Sequence, residues 1–134
     1  MSLPAFDLAG EGPDLAVLLH GIGGGRRIWG PEGSGTLAAL GCRTVAIDLP
    51  GYGDSAGVPT LAAMVQAVAD VIAHFAPRRC ALVGHSMGGM VAQEVIVRRP
   101  DLVGRLVLCG TSSSFGKPDG EWQRQFVQER SAPL

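Results

Sequence analysis

Gly84-His85-Ser86-Met87-Gly88 sets a serine between two glycines at G-x-S-x-G spacing, directly after the apolar run 80–83 and ahead of a helix-period stretch over 87–98. A serine at the tip of a strand that turns at once into a helix must adopt a strained backbone, and the turn crowds its neighbours. Glycine two residues before and two after removes the side chains that would collide there. Ser86 is therefore predicted to sit at a strand-to-helix turn with positive φ. The N-terminus of the following helix points free amides and its dipole at the serine, which favours negative charge developing there. That combination suits covalent attack by a hydroxyl, and the bland alternative is a chance spacing in a chain with 20 glycines among 134 residues.

Two further loops could share the chemistry. His20-Gly21-Ile22-Gly23-Gly24-Gly25 follows the apolar run 15–19 and is flexible enough for its backbone to approach another group closely. It lacks the Gly-Lys-Ser/Thr ending of a phosphate loop, so an oxyanion hole is the better use of its amides. Asp48-Leu49-Pro50-Gly51-Tyr52-Gly53-Asp54-Ser55 is rich in turn formers. Gly51, Gly53 and Ala56 fit a loose dinucleotide fingerprint with Asp70 downstream, but that fingerprint must open a helix directly. Here Gly57, Val58 and Pro59 intervene, and Thr60 reads as the true helix cap.

The elements that must position these loops alternate between strand and helix. Strands are predicted over 15–19, 44–47, 80–83 and 105–109, with at most a short one over 5–9. The segment 26–40 is expected to be irregular, tightening into a short helix over 35–40. Helices are expected over 60–75, with Leu61, Met64, Val65, Val68, Val71, Ile72 and Phe75 on one stripe, and over 87–98, with Met90, Val91, Val95 and Val97 inward. A third helix over 121–130 carries Trp122, Phe126 and Val127 on one side. His74 reads as a helix C-terminal cation or a surface residue and not as a catalyst. Such alternation implies a mostly parallel, doubly wound α/β sheet whose ligand crevice lies outside the carboxyl ends of its strands. All three glycine-bearing loops fall on that edge.

Composition narrows the function. With 46% hydrophobic and 17% charged residues the chain is globular, and a formal net charge of −1 leaves no basic field for nucleic acid. No apolar run approaches a membrane span, and the acidic N-terminal stretch is unlike a signal peptide, so a cytoplasmic protein is expected. Cys42, Cys80 and Cys109 show no metal spacing and read as reduced core thiols; neither a metal nor a cofactor is expected.

Taken together, His20-Gly21-Ile22-Gly23, the 48–55 loop and Gly84-His85-Ser86-Met87-Gly88-Gly89 resemble the N-terminal half of an α/β-hydrolase, in that family's order and separations. Residues 100–112 continue the likeness, especially to the branch that holds 3-oxoadipate enol-lactonases and related esterases, so that it covers about 15–130. The resemblance implies Ser86 as nucleophile, an oxyanion hole from the amides of Ile22 and Met87, motif glycines Gly21, Gly23, Gly84 and Gly88, and a small-molecule carbonyl substrate such as an ester or lactone. His20 and His85 match positions that shape turns. Serine at 86 argues against the dehalogenase branch, which has aspartate there.

One departure is large. In this fold the triad runs serine, acid, histidine, and no histidine follows His85. Asp101, Asp119, Glu94, Glu121 and Glu129 follow Ser86, but none ends a further strand. The resemblance thus implies a partial core over 1–114, truncated after the strand that follows the nucleophile helix, and the start of a cap over 115–134. The isolated chain is expected to be catalytically crippled, with another chain or a C-terminal segment against the 105–109 edge. The alternative is a non-catalytic binding or assembly module that keeps the turn for its geometry.

Overall fold

The computed structural model describes residues 2–113 and 120–131. Its five-stranded sheet has the order β1-β3-β2-β4-β5, formed by β1 (Phe6–Ala9), β2 (Asp14–Leu19), β3 (Arg43–Ile47), β4 (Arg79–His85) and β5 (Arg105–Cys109). Only β1 runs antiparallel; β3 and β4 flank β2 in parallel, and β5 pairs β4 in parallel. From β2 the chain steps to one side for β3 and then to the other for β4. A crevice therefore opens at the carboxyl end of β2, where the winding reverses. The register pairs Leu19 with Gly84, which carries the 20–25 loop to the flank of Ser86.

Helix α1 (Gly30–Ala39) packs on β3 and β1, while α2 (Leu61–Phe75) and α3 (Met87–Arg98) lie against each other. Leu15, Val17 and Leu19 of β2, Val45 and Ile47 of β3 and Leu82 of β4 meet Met64, Val68, Val71 and Ile72 of α2 and Val91 and Val95 of α3 in one core. Ala16, Leu18, Thr44 and Ala46, which alternate to the other face, are buried as well. The doubly wound α/β arrangement is thus present. Helix α4 (Glu121–Ser131) follows, with Trp122 and Phe126 stacked at 5.1 Å between ring centroids. The Val127 side chain and the expected boundary at 114/115 lie outside the described residues. Among those residues no helix is long and apolar enough to cross a membrane.

Three local expectations change. The 26–40 segment is more ordered than expected, a 3-10 turn at Arg26–Trp29 leading straight into α1. Pro31 falls in the first turn of α1, where a missing N–H costs nothing, so it opens the helix instead of breaking it. Val97 is 75% exposed, because it stands about half a turn round the helix from Val95, and Leu61 is 45% exposed in the first turn of α2. Thr60 caps α2 as expected, its hydroxyl accepting from the Ala63 amide at 3.2 Å.

Core and surface positions should respond differently to truncation. Leu82→Ala, at a side chain with no solvent exposure in the central region of the sheet, is expected to lower the free energy of unfolding by about 2–5 kcal/mol. Val97→Ala should change it by less than about 0.5 kcal/mol, and urea titration of both variants measures the contrast.

Candidate functional site

Ser86 is the residue between β4 and α3, with φ 54° and ψ −115°. It occupies the N-cap position, yet its side chain makes no capping hydrogen bond, so the helix does not consume the hydroxyl. The backbone is held on both sides. The Ser86 amide donates to the Cys109 carbonyl at 3.0 Å, and its carbonyl accepts from Gly89 at 3.0 Å and Met90 at 3.3 Å. A residue in so sparsely populated a region persists only when its surroundings fix it.

The glycines show why this turn needs them. A Cβ at Gly84 would stand 2.5 Å from the Gly88 carbonyl oxygen and 2.5 Å from the Gly89 Cα, and one at Gly88 would collide with the Leu19 carbonyl. A Cβ at Gly21 would lie 3.1 Å from the Ser86 Cβ, so the loop after β2 rests directly on the serine. Gly23 has open space around it but φ of 75°, and the Gly24 amide donates to the Gly21 carbonyl at 3.1 Å. Ile22 and Gly23 are therefore the central pair of a turn whose third position favours glycine. Ile22 falls past the end of the β2 ladder, which closes at Leu19, and Met87 is the first residue of α3, where amides lack intrahelical acceptors.

His20 is fully buried, and both of its ring nitrogens are engaged. Nδ1 donates to the Gly21 carbonyl at 2.8 Å, while Nε2 accepts from the Leu49 amide at 3.0 Å. The ring also meets Tyr52 edge-on at 5.1 Å, and the Tyr52 hydroxyl donates to the Met87 sulfur at 3.7 Å. His20 thus joins the 20–25 loop to the 48–55 loop. His74, in the last turn of α2, lies toward the opposite end of the strands, since α2 descends from the loop after β3 to the start of β4. His85 is exposed. Of the acids that follow Ser86, Glu94 pairs with Arg98 at 2.7 Å and Asp101 with Arg99 at 3.1 Å. Glu129 accepts from Gln125 at 3.2 Å, and Asp119 lies outside the described residues.

Sequence reasoning missed the ionic clasp behind these loops. The buried Asp48 carboxylate accepts from the Arg26 amide at 2.6 Å, from the Asp54 amide at 2.9 Å and from the Arg26 guanidinium. That guanidinium also reaches Asp54 at 3.0 Å and Asp7 at 3.2 Å. A side chain at Gly53 would collide with the carboxylate. Burial of Asp48 works against ionisation, but the hydrogen bonds from the Arg26 and Asp54 amides and the Arg26 charge outweigh it and hold the carboxyl below its ordinary range. Arg26 is correspondingly raised, chiefly by its hydrogen bonds to Asp54 and Asp7. The available signal was an acid at the end of a predicted strand, inside a loop already assigned to the site edge.

A cavity of about 650 Å³ opens at the other end of the sheet, among Leu15, Cys42, Arg78, Cys80, Leu102 and Arg105. It touches none of the three loops and plays no part in the site. Among the described residues no group of three or more His, Cys, Asp or Glu could hold a metal ion.

Because the folded pKa of Asp48 is depressed, its stabilising contribution is complete above the ordinary carboxylate range of about pH 4 and is lost as pH falls through the folded value. Asp48→Asn should cost about 1.5–3 kcal/mol at neutral pH and flatten the loss of stability below about pH 4. Urea midpoints measured from pH 2 to 7, with Asp14 and Asp101 common to both proteins, read that difference directly.

The family model described as "Alpha/beta hydrolase family" matches residues 16–134. The pimeloyl-[acyl-carrier protein] methyl ester esterase of Vibrio cholerae is 36% identical over 120 residues, which cover 88% of this chain and 44% of that protein. A solved structure from Mycobacterium tuberculosis superposes with a TM-score of 0.83 at 30% identity, covering 98% of this chain and 49% of that one. A thermophilic esterase from Thermogutta terrifontis does so with a TM-score of 0.78 at 30% identity, covering 94% and 47%. The chain spans about half the length of these relatives. With its sheet order, its serine turn and a family match over most of its residues, the chain belongs to the alpha/beta hydrolase family.

Proposed function

We propose that the chain is the nucleophile-bearing part of a serine hydrolase that cleaves a carboxylic ester or lactone through an acyl-enzyme. The observation that carries this reading is the backbone of Ser86: φ of 54° between β4 and α3, with the hydroxyl left out of the helix cap and the glycine loop after β2 lying against it. In the reaction, Ser86 Oγ loses its proton to a base and bonds to the substrate carbonyl carbon. The carbonyl oxygen takes up negative charge between the amides of Ile22 and Met87, which as fixed backbone donors need no reorganisation. Collapse of this intermediate breaks the carbon–oxygen bond to the alcohol, which leaves with a proton. Water then adds to the acyl carbon and frees the acid and Ser86.

The base is the open part of the constellation. Both His20 nitrogens are engaged, His74 lies toward the far end of the sheet and His85 holds the position that shapes the turn in the family's motif, so in this reading the histidine and its acid partner come from outside the 134 residues. We assign residues 115–134 as the start of a cap segment, and further polypeptide covers β5, whose Val107 and Leu108 are more than two fifths exposed. Relatives named as methyl ester esterases support an ester, and three unpaired cysteines support a reducing, cytoplasmic setting. The engaged state of His20 also favours a second reading, a non-catalytic module that retains the serine turn for its shape.

Labelling separates the two readings. In the complete enzyme a fluorophosphonate probe should react with Ser86 faster than with any other hydroxyl, and Ser86→Ala should abolish that labelling. The same variant should lose about three orders of magnitude or more in ester turnover. Turnover persisting above about a tenth of the wild-type rate would contradict the assignment of Ser86 as nucleophile.

A further inference from the structure

We propose that Thr111, in the loop that follows β5, is a positioning residue that holds the Ser86 backbone in its turn; the inference rests on Ser86 being the nucleophile. Thr111 Oγ1 donates a 2.5 Å hydrogen bond to the Ser86 carbonyl oxygen across 25 positions of sequence. The other donors to that oxygen, Gly89 and Met90, belong to α3 and would be present in any helix that starts here. Among the described residues, Thr111 supplies the contact that ties the serine carbonyl to a different part of the sheet.

The surroundings are shaped for this threonine. A Cβ at Gly89 would stand 2.5 Å from Thr111 Cγ2 and 2.6 Å from Oγ1, so the third glycine of Gly84-x-x-x-Gly88-Gly89 leaves the space that both branches of the threonine fill. Gly110, with φ of 55°, turns the chain back toward the serine directly after β5. Gln93 of α3 then fastens the loop, its amide group donating to the Gly89 carbonyl at 3.2 Å and to the Ser112 carbonyl at 2.9 Å. On the other side the Ser86 amide donates to the Cys109 carbonyl, two residues before Thr111. Both polar groups of the Ser86 backbone are thereby bonded to the 109–111 stretch. A strained conformation survives when its surroundings over-determine it, and this stretch provides that restraint.

Thr111→Val keeps the shape and removes the donor, while Thr111→Ser keeps the donor and removes the methyl group. In the complete enzyme, fluorophosphonate labelling of Ser86 is expected to slow about tenfold in Thr111→Val, the effect of losing one buried hydrogen bond, and to stay near the wild-type rate in Thr111→Ser. NMR should show the Ser86 HN–Hα coupling and Cα shift leaving their wild-type values in the valine variant alone. Should Thr111→Val not fold, Gly89→Ala provides the second test, because it displaces the threonine without altering it and should shift the same signals. Native Ser86 signals in Thr111→Val or in Gly89→Ala would overturn the proposal, as would a serine variant no better than valine. A complete wild-type enzyme whose Ser86 does not label would remove the nucleophile reading, and the NMR signals would still decide the role of Thr111.

Discussion

At the carboxyl end of β4 three stretches of backbone converge more closely than side chains permit. The first turn of α3 approaches the Leu19 and His20 carbonyls, Gly84 touches Gly88 and Gly89, and Gly21 lies on Ser86. Everything else at the site follows from this crowding. A sheet wound outward in both directions from β2 brings the loops after β2 and β4 together, and only glycine at those contacts lets them close. The serine between them is then driven to positive φ, and its hydroxyl makes no capping bond to the helix it begins.

Charge and hydrogen bonding hold what sterics bring together. The Asp48 carboxylate, gathering two amides and a guanidinium, binds the 20–27 and 48–55 loops into one unit, and buried His20 repeats the connection nearer the serine. Such a buried acid is costly unless every lone pair is used, and here the donors are supplied by Arg26 and Asp54. The 109–111 stretch braces the turn from the opposite flank. A rigid, pre-set site of this kind is what stabilisation of a short-lived charge requires, since donors that must first reorganise lose much of their value.

The serine turn was legible in the sequence because it is local: five residues, with a β-prone run before them and a helix period after. The Thr60 cap was legible for the same reason, and so was the parallel sheet, since strands separated by helices leave few other arrangements. Contacts that close over long separations were not. Arg26 and Asp48 stand 22 positions apart, and Thr111 and Ser86 stand 25, so neither pair could be read before the register of the strands was known. Val97 failed for another reason: an apolar residue adds to a helical stripe on paper whether or not its phase faces the sheet, and here it faces solvent. The order of the 26–40 segment was missed because a proline such as Pro31 opens a helix in its first turn and breaks one further along, and composition does not say which turn it occupies.

The central claim is that Ser86 and the amides of Ile22 and Met87 surround a single point. A crystal structure of the complete enzyme after reaction with a small fluorophosphonate tests it most directly, because the phosphonyl oxygen stands where the substrate oxyanion would be. The account predicts phosphorus bonded to Ser86 Oγ and that oxygen about 3 Å from both amide nitrogens. An adduct whose oxygen points to solvent, or an Ile22 amide turned away from Ser86, would contradict it.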